Sequence, residues 1–128
     1  MKRTIGLAAA LLIAGMGAAF AQDGDAAAGE NVFKKCKACH DVPGAAAKNK
    51  VGPILTGISG RAWGAVEGFK YSDDLKTQAG EGKVWDDATL DAYLANPKDV
   101  IPKGKMAFAG LKDEKDRKDI IAYLKAAQ

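Results

Sequence analysis

Histidine and cysteine are almost absent from this chain. Its 128 residues hold one histidine and two cysteines, all inside the segment Cys36-Lys37-Ala38-Cys39-His40. Two thiols this close make a poor disulfide staple for an otherwise cysteine-free chain. A zinc site wants four protein ligands, or three with an open position, and no further Cys or His exists to complete one. A thioredoxin-like dithiol needs a βαβ setting, and no strand pattern of convincing length appears. Internal repeats, a Ser/Pro-rich linker and a second domain are also missing. So is an excess of charge. The 19 Lys and Arg become 17 once Lys2 and Arg3 are set aside, against 16 Asp and Glu. That balance does not suggest nucleic-acid binding.

Lys2 and Arg3 are set aside because the N-terminus reads as an export signal. Met1-Lys2-Arg3 is a basic start, an Ala/Leu/Gly-rich run extends from Ile5 to Ala21, and Ala19-Phe20-Ala21 is an A-x-A cleavage pattern. The run is short for a membrane span. Residues 1–21 are therefore expected to be a signal peptide cleaved after Ala21. Residues 22–128 would form one domain beginning at Gln22, exported to the periplasm, with no stable membrane insertion after cleavage. An uncleaved N-terminal anchor is the alternative, and the mass of the mature protein separates the two.

The remaining pattern is helical. Asp23 or Asp25 can cap a first helix whose apolar face is Ala28, Gly29, Val32 and Phe33, and which should run into the cysteine segment. Residues 41–70 are irregular, with Pro43, Gly44, Gly52, Pro53, Gly57, Gly60, Gly64 and Gly68 recurring. A stretch this long without structure is unusual unless it is functional. A short helix should follow Ser72 and end before Gly80. Another should begin at Asp86 or Asp87, carry Leu90, Tyr93 and Leu94 on one face, and stop or break at Asn96-Pro97. The last should start at Asp113, with Ile120, Ile121, Tyr123 and Leu124 as its buried side. The fold class is all-α, a few helices around a prosthetic group.

The prosthetic group follows from Cys36-x-x-Cys39-His40. Two thiols three apart with an adjoining imidazole are what covalent attachment of a c-type haem needs. The sulfurs add across the porphyrin vinyl groups as thioethers, and His40 falls under the iron as an axial ligand. The irregular stretch is then a loop wrapped around a cofactor. Burying a haem in so small a domain should link folding to cofactor binding, so the apo chain is expected to fold poorly. For the second axial position no histidine remains, and Met106 is the one methionine outside the signal segment, since Met1 and Met16 lie within it. The residues leave Met106, a lysine such as Lys103 or Lys105, or an open site. Ile101-Pro102-Lys103-Gly104-Lys105-Met106 reads as a loop, not as a helix face.

Several blocks, in this order and spacing, resemble class I cytochrome c, close to the soluble mitochondrial and bacterial type. They are Gly29 with Phe33, Cys36 to His40, Val51-Gly52-Pro53, Gly60-Arg61, Gly68-Phe69-Lys70-Tyr71, and Val84-Trp85. Thr89 to Leu94, Asn96-Pro97, Ile101-Pro102, Lys105 to Gly110 and Ile120 to Leu124 complete the set. The resemblance covers essentially the whole chain after residue 21. It implies the class I fold, a few helices and long loops around one haem. It implies Met106 as the sixth ligand, with Tyr93 near its sulfur. It implies that Gly29 lets the first helix cross the last near Tyr123, and that the Pro53 carbonyl accepts a hydrogen bond from His40. Arg61, Tyr71 and Trp85 would bury the haem propionates. Two positions depart from the family. Gly104 stands where a Thr is common, and Leu75 where an Asn is. Both changes remove polar partners, so a lysine, Lys103 or Lys105, is expected to displace Met106 at moderately alkaline pH.

His/Met ligation favours reduced iron and closes both axial positions. The expected function is one-electron transfer by a monomeric carrier, not an enzyme. It would run between a quinol–cytochrome c reductase, or a periplasmic dehydrogenase, and a terminal oxidase or photosynthetic reaction centre. Lys34, Lys35, Lys37, Lys48 and Lys50 flank the cysteine segment, and Lys98, Lys103 and Lys105 precede Met106. They would steer the haem edge onto acidic docking surfaces. A haem peroxidase or gas sensor with an open sixth site is the alternative, and the absence of a distal histidine argues against it.

Overall fold

The computed structural model describes residues 24–128. The expected signal, its cleavage after Ala21 and the start at Gln22 lie outside the described residues. Five helices form among the described residues: α1 Ala26–Phe33, α2 Asp73–Ala79, α3 Asp87–Ala95, α4 Pro97–Val100 and α5 Glu114–Ala126. There is no sheet among them, only one isolated antiparallel bridge between Ala62 and Val84. No described helix is long and apolar enough to cross a membrane.

Each helix begins where a short polar side chain can satisfy its first amides. Asp25 Oδ1 accepts from the Ala27 and Ala28 amides at 2.8 and 3.3 Å. Ser72, Asp86 and Asp113 cap α2, α3 and α5 in the same way. Such a cap stabilises a helix by about 1 kcal/mol. At Asn96 the chain leaves the helical region, and its side chain accepts from the Lys98 amide at 3.3 Å. The break expected at Asn96-Pro97 is therefore also a new start, because a proline at the first helical position loses no needed N–H.

The frame is the crossing of α1 and α5. Gly29 lies against the Asp119 carbonyl. A Cβ there would overlap that oxygen and press the Tyr123 Cβ at 2.7 Å. The role that the family resemblance gives to Gly29 is met by this packing. Phe33, Ile101 and Ile120 are the largest fully buried side chains, each contributing about 1.5–3 kcal/mol through burial. One polar residue shares the buried side of α5. Asp119 accepts the Asp25 amide at 2.8 Å and the Lys115 ammonium at 2.6 Å. Arg117 ties α5 to α3 through Asp91 at 2.8 Å. Between α1 and α2 no helix forms, as the recurring Gly and Pro suggest.

Candidate functional site

The cysteine segment leaves α1 as tight turns and not as continued helix. After Phe33 the amides of Lys34, Lys35 and Cys36 bond back three residues, and α1 ends there. The Cys39 and His40 amides then both reach the Cys36 carbonyl, at 3.1 and 2.8 Å. The turn turns His40 inward, leaving Cys36 half-buried and Cys39 exposed. Burial pushes the Cys36 thiol pKa up, with Lys35 opposing. A thiol-redox catalyst calls for the opposite shift at its nucleophile. No group of three or more Cys, His, Asp and Glu able to hold a bare metal ion exists among the described residues.

His40 is buried, and its Nδ1 lies 2.8 Å from the Pro53 carbonyl. A carbonyl can only accept, so Nδ1 carries the proton. Burial lowers the ring's pKa, the Pro53 bond opposes this, and Lys50 adds to the lowering. The neutral ring therefore keeps its lone pair on Nε2, the atom that a metal would take. The backbone approaches the ring closely at Gly52, where a Cβ would overlap Cε1 and come within 2.7 Å of both nitrogens. Only glycine fits.

The Met106 side is built from α3 and the loop that follows α4. Tyr93 projects from α3, and its hydroxyl donates to the Met106 sulfur at 3.7 Å. Burial raises the Tyr93 pKa to about 12, so the hydroxyl stays protonated and able to donate. Trp85 packs on Tyr93 with ring centroids 5.0 Å apart. Trp63 stacks on Trp85 at 4.5 Å, and the Lys83 ammonium lies 5.2 Å from the Trp63 ring centroid.

Whether these residues suit a haem is tested by what they leave unpaired. Arg61 donates to the Thr56 and Ile54 carbonyls at 3.2 and 3.0 Å, but its Nε is buried without an acceptor. Burial lowers the Arg61 pKa, with Tyr71 opposing, and no carboxylate among the described residues contributes to that shift. Trp63 Nε1 is likewise buried and unpaired. The Tyr71 oxygen accepts the Val66 amide at 3.1 Å, which leaves its own proton free to donate. Orphaned buried N–H groups are rare. Donors beside an uncompensated cation match a group that brings carboxylates, as haem does with its propionates. The residues fit.

The structure thus brings together His40 with Pro53, Arg61 with Tyr71, and Trp85 with Tyr93 and Met106. Trp63 is missed by the sequence reading. No sequence signal marks it out, since most tryptophans are simply core. In the structure Ala62 bridges Val84, which sets Arg61 and Trp63 on either side of the bridging residue, two positions apart.

The family model described as cytochrome c matches residues 26–128. The chain is 57% identical over 99 residues to cytochrome c-550 of Ancylobacter novellus, covering 77% of this chain and 92% of that protein. It is 52% identical over 101 residues to cytochrome c2 of Rhodomicrobium vannielii, covering 79% and 78%. Among solved structures it resembles cytochrome cH from Methylobacterium extorquens, with a TM-score of 0.72 and 48% identity over 80% of this chain and 99% of that one. The match begins within the first turn of α1 and ends at the last residue, spanning the whole helical frame and both sides of the site. On that extent, the chain belongs to the cytochrome c family.

Proposed function

We propose that residues 22–128 are a soluble, monomeric, periplasmic one-electron carrier, exported by the signal segment 1–21 and holding one haem c. Cys36 and Cys39 would hold the haem covalently, with His40 Nε2 and the Met106 sulfur as axial ligands. Arg61, Tyr71 and Trp85 would surround the propionates, and Trp63 joins them on the strength of its unpaired N–H. When bound, the haem supplies an iron that exchanges one electron without bond-making at substrate. The observation that carries this reading is that both candidate ligands are held by a hydrogen bond. His40 is fixed through Pro53 at 2.8 Å and Met106 through Tyr93 at 3.7 Å.

What the residues do follows from their chemistry. The Pro53 carbonyl sets the His40 tautomer and aim. The Tyr93 hydroxyl draws electron density from the thioether, weakening it as a donor and favouring the reduced state. The Arg61 charge, set in a dry environment, favours the reduced state as well. The apolar packing of Trp85 and Tyr93 keeps water from the Met106 side. Lys34, Lys35, Lys37, Lys48, Lys50, Lys98, Lys103 and Lys105 are all exposed. They would steer acidic partners: a quinol–cytochrome c reductase or periplasmic dehydrogenase as donor, an oxidase or reaction centre as acceptor. The mass of the exported protein tests attachment and processing together. It should equal the chain from Gln22 plus one haem. A mass without haem would end the carrier reading, and a mass retaining residues 1–21 would make the protein membrane-tethered.

A further inference from the structure

α2 buries none of its residues fully, yet two of its side chains reach the segment before Met106. Asp74 Oδ2 accepts the Lys103 amide at 2.9 Å across 29 residues. Gln78 Nε2 donates to the Val100 carbonyl at 3.0 Å across 22 residues, and to Asp74 Oδ1 at 3.2 Å. Lys83 fixes the orientation of the Gln78 amide. Its ammonium can only donate, and it sits 2.6 Å from Gln78 Oε1, so the NH2 must face Asp74 and Val100. The network is closed: both carboxylate oxygens, the amide oxygen and the amide nitrogen all have partners.

Val100 and Lys103 bracket Ile101-Pro102, a turn that the Gly104 amide closes on the Ile101 carbonyl at 2.9 Å. Gly104 brings no side-chain donor of its own, and a Cβ there would press Ile101 at 3.1 Å. Loop tethering has to come from elsewhere, and α2 supplies it. We propose that Asp74 and Gln78 are positioning residues, a clamp from α2 that pins the Val100–Lys103 turn and so keeps Met106 seated. This rests on Met106 being the sixth ligand.

The test uses ferric holoprotein titrated with imidazole, which competes with Met106 for the iron, read by loss of the far-red sulfur-to-iron band. A looser loop raises the apparent imidazole affinity, because the open form is more populated. D74A and Q78A should each raise it by about threefold to tenfold, the size of one partly exposed hydrogen bond. D74N keeps one oxygen for the Lys103 amide but sets its NH2 against that of Gln78, so it should recover only part of the loss. D73A removes, from the same helical turn, a charge that pairs with Lys76 and makes no hydrogen bond to the loop, only a solvent-screened attraction to Lys105, and should stay within about twofold of the parent. Hydrogen exchange at the Lys103 amide is a second readout that does not depend on ligation, and it should speed up at least tenfold in D74A. The clamp is overturned if D74A and Q78A both bind imidazole as the parent does, or if Lys103 exchange is unchanged. Should the parent lack the far-red band, the Met106 reading fails, and Lys103 exchange alone decides the clamp.

Discussion

A histidine that must donate from Nδ1 has no choice about what its other nitrogen offers. That constraint makes His40 readable from one contact, the 2.8 Å bond to Pro53. The Met106 sulfur is constrained more weakly, by the Tyr93 hydroxyl at 3.7 Å. Removing that donor with Tyr93→Phe leaves the ring packing on Trp85 intact and makes the sulfur a better donor to oxidised iron. The reduction potential should fall by roughly 30 mV, about what a hydrogen bond of under 1 kcal/mol is worth in a one-electron couple. Protein-film voltammetry reads this directly, and an unchanged potential would remove Tyr93 from the account. Residue scarcity marked His40 and Met106 as ligand candidates in the sequence, with a lysine or an open site left beside Met106. Trp63 was not legible, because most tryptophans are simply core, and only its unpaired Nε1 marks it out.

At the scale of elements, the helices announce themselves through their caps, and α1, α2, α3 and α5 lie within a residue or two of where Asp25, Ser72, Asp86 and Asp113 place them. The exception is α4. Asn96-Pro97 reads as an end, and the same proline opens the next turn. Asp119 was also hidden, since its partner amide at Asp25 is 94 residues away and no local pattern points there. Two predictions follow from the α1–α5 crossing. In Gly29→Ala the new methyl meets the Asp119 carbonyl, a backbone atom that cannot swing aside. Stability in chemical denaturation should fall by about 2–3 kcal/mol. An unperturbed midpoint would mean that the helices are not held this closely. The second concerns acid. The Lys115 bond, then the Asp25 amide, hold the Asp119 carboxyl below its ordinary value of 3.8. A depressed carboxylate contributes stability that is whole above the unfolded value and is lost as pH falls through the folded one. Asp119→Asn should therefore lower stability at pH 7, with the gap to the parent closing below about pH 4. Denaturation midpoints across that range check it, and a gap that stays constant with pH would show that the carboxylate charge is not what matters.

For the molecule as a whole, a net charge of +3 says less than where the lysines fall along the chain. Along the chain, exposed lysines cluster on the segments that carry Cys36 and precede Met106, and of the acidic runs Asp73-Asp74, Asp86-Asp87 and Asp113-Glu114 the first reaches the Met106 loop through Asp74. If that clustering of lysines steers encounter, second-order electron-transfer rates with an acidic partner should drop several-fold between about 10 and 200 mM salt. Rates that ignore salt would leave the lysines as ordinary solvated ones. The long path from Asp41 to Tyr71 was legible only as irregular. Its shape depends on contacts such as the Arg61 bonds to the Thr56 and Ile54 carbonyls, which no spacing rule encodes. Every part of the account converges on two filled axial positions, and an absorption spectrum of the exported protein, oxidised and reduced, with and without carbon monoxide, tests that most directly. The account predicts a low-spin c-type spectrum with a weak far-red band in the oxidised state, and no change with carbon monoxide in the reduced state. A high-spin or carbon-monoxide-sensitive spectrum would contradict it, freeing the sixth position for catalysis or gas sensing.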